Sequence, residues 1–268
     1  MKPSLIKSIL YSEKRKNILF LLKNEPKSID EIKKELGENS ASIQPQIKKL
    51  KSFFLILEKN KVLSLSEIGK AIVENLQELI DTLEVVEENP DYWKKQDLSA
   101  IPEKLQNRIK ELEKCEILEP DSEHLFETPD FFRKNILISK EVLTFVSYFH
   151  PESPEIYANI AENNTELILC MKEIVADRLF MDFPKEAATI SKSEKSKILI
   201  CKKPVKLPSL VVTDRFMVLK LRENNGKLRD RMLLCCEEKA LNWGKELFTA
   251  YMTLCEPLEE KEFSNIHG

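Results

Sequence analysis

Between Ser28 and Leu65 the hydrophobic pattern changes character at punctuated points, and few folds accommodate the order in which it does so. In "SIDE", Ser28 and Glu31 form a capping box that opens a short helix with Ile29, Ile32 and Leu36 inward, and Gly37 stands where a left-handed C-terminal residue is wanted. Only a few residues later "NSASIQPQIKKLKS" carries Ile43, Ile47 and Leu50, followed by Phe54, at helical spacing. "LILEKNKVLSL" then offers two apolar runs around Lys59 and Asn60, which reads as a hairpin with a basic tip. Ahead of these, Ser12 can cap a helix through about Lys23 that buries Ile18, Leu19 and Leu22.

Three helices and a hairpin in so short a span are the layout of a winged helix-turn-helix. With Ile43, Ile47, Leu50 and Phe54 turned to the core, steps of about 100° place Ala41, Ser42, Pro45, Lys48, Lys49 and Ser52 outward, with Gln44 and Gln46 on the flanks. No acidic residue occurs from Asn39 to Leu57. Lysine neutralises phosphates or approaches guanine acceptors, glutamine contacts adenine bidentately, and serine donates or accepts, so this face suits a major groove. Pro45 falls in the first turn if Ser42 caps the helix, and deeper, with a bend, if Ser40 does. The bland alternative is a solvated basic helix.

Charge is sorted along the chain. The net charge of −3 conceals 14 Lys and Arg against 7 Asp and Glu from Met1 to Leu65, so the remainder, with 28 against 38, is acidic. A basic block of this kind points to a polyanionic partner. The expected contacts are Ser42, Gln44, Pro45, Gln46, Lys48 and Lys49 on the helix and Lys59, Asn60 and Lys61 on the hairpin.

From about Ser66 to Glu88 a longer helix carries Ile68, Ile72, Leu76, Leu79, Ile80, Leu83 and Val86. Such a stripe suits its own copy in a homodimer or the first helix of the same chain. Beyond "ENPDYW" the texture changes: "VLTFVSYF", "ELILCMK", "SKILIC", "SLVVTD", "FMVLKL" and "RMLLCC" read as strands, interleaved with helices at "EIYANIAEN", "EIVADRLFMDFPKEAATI" and "EEKALNWGKELFTAYMTL". The expected class is therefore α+β: a winged-helix domain with its dimerisation helix over 1–88, an α/β mixed-sheet effector domain over 89–258, and a frayed tail over 259–268.

Several classes are disfavoured. Five glycines leave no Gly-rich phosphate loop, and His124, His150 and His267 form no metal or hydrolase motif, so neither an enzyme nor a cofactor nor a metal site is expected. Six cysteines without a CxxC pair read mainly as buried small hydrophobes in a reducing compartment, with the vicinal Cys235 and Cys236 as a weaker redox alternative. No apolar run reaches bilayer length, which places the chain in the cytoplasm without a membrane partner. His150 in "FHPESP" and Asp214 and Arg215 in "VTDRF" follow strands, where α/β sheets bind ligands, and are the candidates for an effector pocket.

The pattern from "RKNILFLLKNEPKSIDEIKKELGENSASIQPQIKKLKSFFLI" to "LSEIGKAI" resembles the ArsR-like winged-helix regulators of methanogenic archaea. "YFHPESPEIY" and "LVVTDRFMVLKLRENNGK" with "NWGKELFTAY" resemble that family's methanogenesis-regulator middle domain. The resemblance implies a homodimeric transcription factor on double-stranded DNA, with a small-molecule effector acting at its second domain. It departs from many relatives at "KSFFLI", where Phe53 and Phe54 stand in place of a helix-ending glycine. The rival reading is an interaction scaffold whose winged helix does not read DNA; an RNA-binding regulator would need an exposed aromatic platform that is not evident.

Overall fold

The computed structural model describes residues 5–119 and 129–258; the expected tail, His124 and His267 lie outside the described residues. The chain forms two compact units, Met1–Asp81 and Thr82–Gly268.

In the first unit, α1 (Leu5–Leu10) leads into α2 (Glu13–Asn24), capped by Ser12, whose side chain accepts from the Arg15 amide. Strand β1 (Lys27–Ser28) precedes α3 (Ile29–Leu36), where the reciprocal Ser28–Glu31 capping box is present and Gly37 takes φ 63°. Helix α4 (Ser40–Ser52), strands β2 (Ile56–Lys59) and β3 (Val62–Leu65) and helix α5 (Glu67–Glu88) follow. The strands form an antiparallel sheet in the order β1-β3-β2. Ile18, Leu19, Ile32, Ile43, Leu50 and Leu63 close one core, which Val73 and Leu76 of α5 complete. Ser66 caps α5 by accepting from the Gly69 amide, and a Cβ at Gly69 would collide with the Leu55 carbonyl oxygen, so the helix can start this close only with glycine there.

The second unit begins within the last turns of α5. Helix α5 ends at Glu88, and Pro90 opens a short helix, α6 (Pro90–Trp93), as its first residue. Helix α7 (Glu103–Gln106), strand β4 (Glu116–Leu118) and helix α8 (Asp130–Ile136) lead to the central strand β5 (Glu141–Val146). Then come α9 (Ser153–Glu162), β6 (Glu166–Lys172), α10 (Glu173–Asp182), α11 (Pro184–Lys192), β7 (Ser196–Cys201), β8 (Ser209–Thr213), β9 (Met217–Lys220), β10 (Met232–Cys235), α12 (Glu238–Met252) and β11 (Glu256–Pro257).

These strands build one eight-stranded sheet in the order β11-β7-β6-β5-β8-β9-β10-β4. Neighbours β5, β6 and β7 are parallel, joined by helical crossovers, and every other pair is antiparallel. Side chains alternate strictly: Leu143, Phe145, Leu210, Val212, Met217 and Leu219 meet α12 on one face, while Val142, Val146, Val211 and Val218 meet α9 to α11 on the other. The mixed α/β reading of this half holds, element by element.

The cysteines need correcting. Cys115 and Cys235 are joined in a disulfide across 120 residues, because β4 and β10 pair in a register that sets them opposite each other. Cys235 is thus engaged, whereas Cys236 is exposed and free. Among the described residues no helix is long and apolar enough to cross a membrane.

Candidate nucleic-acid interface and ligand cavity

Helix α4 is capped by neither serine. Asn39 does it, accepting from the Ser42 amide at 2.9 Å, so Pro45 lies inside the helix rather than in its first turn. Lacking an N–H, Pro45 leaves the Ala41 carbonyl without its usual helical partner, free for water or a ligand donor. Gln44, Pro45 and Lys48 are exposed. Two other expected contacts turn toward α2: Lys14 donates to Ser42 Oγ at 2.6 Å, and Arg15 Nη1 donates to Gln46 Oε1 at 2.6 Å. Lys49 lies over the Phe53 ring, 5.1 Å from its centroid. The face therefore divides into an outer group that solvent reaches and an inner group held by the preceding helix.

The end of α4 solves the missing-glycine problem in an unexpected way. Leu55 N–H reaches back to Leu50 O at 3.1 Å and Phe54 N–H to Lys51 O at 2.9 Å, the bond pair of a Schellman motif. Phe54 occupies its left-handed position at φ 58° and is 75% exposed. An aromatic residue there costs about 1–2 kcal/mol against glycine. The buried Leu50 and Leu55 supply the apolar contact that closes the motif.

Downstream, Lys59 pairs with Val62, so the turn residues are Asn60 and Lys61, one step later than Lys59 and Asn60. Both have positive φ, 52° and 64°, which makes a type I′ turn. Lys59, Asn60 and Lys61 are all exposed, and Lys48, Lys59 and Lys61 enter no ion pair among the described residues.

The second unit holds a cavity of about 80 Å³ at the C-terminal end of β5, bordered by apolar Phe132, Val146, Ile156, Val211 and Met232 and by polar Tyr148, His150, Ser153, Lys220 and Asp230. Lys220 is only 4% exposed; it pairs with Asp230 and reaches Tyr148 Oη at 3.2 Å. His150 Nδ1 accepts from the Glu152 amide at 3.4 Å, which leaves a neutral imidazole with its proton on Nε2. Burial pulls the His150 pKa down from its ordinary 6.5, with Glu152 and Asp230 opposing.

Asp214 and Arg215 do not join this cavity. Strand β8 runs antiparallel to β5, so its end lies at the β5 start, where Asp214 Oδ1 accepts from the Lys140 amide. Sequence reasoning missed Lys220, Asp230 and Tyr148. The signal was the single lysine inside the apolar run "FMVLKL", since a charge in a buried strand requires a partner. Among the described residues no group of three or more His, Cys, Asp and Glu side chains is arranged to hold a metal ion.

The chain has a two-domain layout, a helical unit with a basic helix and a wing followed by an α/β unit with a polar cavity. Comparison with known proteins agrees: residues 4–84 match the model of the N-terminal domain of methanogenesis regulatory protein FilR1, and residues 125–254 that of its middle domain. The two matched stretches follow one another along the chain and together take in most of it. Methanogenesis regulatory protein FilR1 of Methanothrix harundinacea (strain 6Ac) is 24% identical over 266 residues, which cover 97% of this chain and 59% of the relative. The chain thus spans little more than half the length of that curated relative. A solved structure of TrmBL2, an archaeal chromatin protein described as showing a novel mode of DNA binding, aligns with 93% of this chain and 94% of its own at 11% identity and a TM-score of 0.44, a distant likeness.

Proposed function

We propose that this chain is a DNA-binding transcriptional regulator that acts as a homodimer and responds to a small molecule in the β5 cavity. The observation that carries this reading is the acid-free outer face of α4, with Gln44, Pro45 and Lys48 exposed, in the same unit as a rigid type I′ wing whose tip bears Lys59 and Lys61. Lysines supply sequence-independent attraction to phosphates, and Gln44 supplies base readout. The FilR1-type domains, named for a regulatory protein, support it.

Pairing would use α5. Leu76, at 8% exposed, belongs to the first unit's own core, while Ile68, Leu79 and Leu83 are 55%, 50% and 48% exposed. Leu79 and Leu83 are four residues apart and share one face, which suits a second copy of the helix. A ligand that prefers one dimer geometry would shift the population competent for DNA.

The interaction-scaffold reading has its own observation: Phe54, Leu57 and Val62 are 75%, 55% and 39% exposed around the wing. Selection of bound sequences from random duplex DNA decides between the two. Enrichment of an inverted repeat supports the regulator, and absence of any enrichment supports the scaffold.

A further inference from the structure

We infer that Cys255 is a peroxide-oxidisable thiol that forms an intramolecular disulfide with one of two buried partners, Cys170 or Cys201. Three adjacent strands bring the cysteines together. Glu256 of β11 pairs with Ile200 and Pro257 with Leu199, so one register step earlier Cys255 faces Cys201 on β7. On the other side of β7, Lys172 pairs with Cys201 and Cys170 with Leu199, which puts Cys170 two residues along on the same face of the sheet.

All three contribute to the α12-side core, where Cys255 Sγ donates to Tyr251 O at 3.4 Å and Cys201 Sγ to Lys203 O at 3.6 Å. Cys170 and Cys201 are fully buried, whereas Cys255 is part exposed. An oxidant therefore reaches Cys255 first and finds resolving thiols waiting behind it. The neighbouring Cys170 thiol, with Cys201, also draws the Cys255 pKa below its ordinary value against its burial, while Cys236, the other accessible thiol, is pushed up by burial.

In the chemistry, the Cys255 thiolate attacks one oxygen of hydrogen peroxide and the O–O bond breaks. The departing hydroxide takes up the proton Cys255 gave off and leaves as water. The sulfur of Cys170 or Cys201 then attacks the Cys255 sulfenic acid, the S–S bond forms, and the hydroxyl leaves as a second water with the attacking thiol's proton. Two thiols lose two electrons and peroxide is reduced to two waters. A bond to Cys201 would tie the start of β11 to β7, the strand it already pairs with, and a bond to Cys170 would tie it to β6, one strand further in.

The test uses the whole chain with Cys236→Ser, so that no surface thiol competes, and with the Cys115–Cys235 bond intact. After brief treatment with dilute hydrogen peroxide, alkylation and non-reducing peptide mapping, the three remaining free thiols, Cys170, Cys201 and Cys255, should fall to one, with Cys255 linked to Cys170 or Cys201. Cys255→Ser should keep Cys170 and Cys201 reduced under the same dose. In the native sequence Cys255 should be consumed faster than Cys236, because its thiolate is favoured and that of Cys236 disfavoured. Cys255 found only as a sulfinic or sulfonic acid, a bond between two copies of Cys255, or a Cys170–Cys201 bond that survives Cys255→Ser would each overturn the proposal.

Discussion

Arg15 of α2 donates from Nη1 to Gln46 Oε1 at 2.6 Å, while its Nε donates to the Ser8 carbonyl. One guanidinium thus binds α4 to the helices that precede it. The Gln46 carbonyl is thereby occupied, and the bidentate pattern that reads adenine needs both halves of an amide. Gln44, exposed and one position before Pro45, makes no side-chain hydrogen bond among the described residues. We predict that Gln44→Ala alters base preference at one position by about 1–3 kcal/mol, measured by competition between operator variants. Gln46→Ala should instead lower the unfolding free energy of the N-terminal unit by about 1 kcal/mol.

The left-handed Phe54 makes a backbone prediction. Glycine relieves the positive φ but gains entropy in the unfolded chain, and the first effect is the larger. Phe54→Gly should stabilise the first unit by roughly 0.5–1 kcal/mol in denaturant titrations, whereas Phe54→Ala, which keeps the strain, should change little.

For the dimer, the structure separates two kinds of leucine on α5. Leu79→Glu with Leu83→Glu should yield folded monomers by light scattering and circular dichroism, because both positions are exposed. Leu76→Glu should unfold the first unit, since it places a charge in the core. A dimer that survives the Leu79 and Leu83 changes would place the interface elsewhere.

His150 gives the second unit a pH signature. Its folded pKa lies below the ordinary 6.5, so the unfolded state binds its proton more readily. Stability is then complete above about 6.5 and declines as pH falls through the lowered folded value. Between about pH 7.5 and pH 5, His150→Gln should lose less stability than the native chain, by chemical denaturation at each pH. An equal loss would show that the imidazole is not the responsible group.

Much of this fold was legible from local chemistry. The Ser28–Glu31 box, the left-handed Gly37 and the strand runs from "VLTFVSYF" to "RMLLCC" each depend on neighbours a few residues away, which is the range periodicity and capping can see. What escaped depends on register or direction. Asn39 outcompeted two serines as cap, moving Pro45 inward, and the wing turn slid to Asn60 and Lys61 because Lys59 pairs with Val62 across the hairpin. The Cys115–Cys235 bond and the Lys220–Asp230 pair beside His150 are set by strand pairing across the sheet. Asp214 and His150 both follow strands yet lie at opposite edges of the sheet, because β8 runs against β5, a direction that sequence does not tell.

Contact of the outer face of α4 and the wing with DNA phosphates is tested by the salt dependence of binding to duplex DNA. The native chain is compared with Lys48→Ala, Lys59→Ala and Lys61→Ala, singly and together. Each lysine that contacts a phosphate should reduce the slope of log K against log salt by about 0.9, with affinity falling similarly on specific and unrelated sequences. A slope unchanged in the triple variant would remove this surface from the interface, and with it the reading of the chain as a DNA-binding regulator.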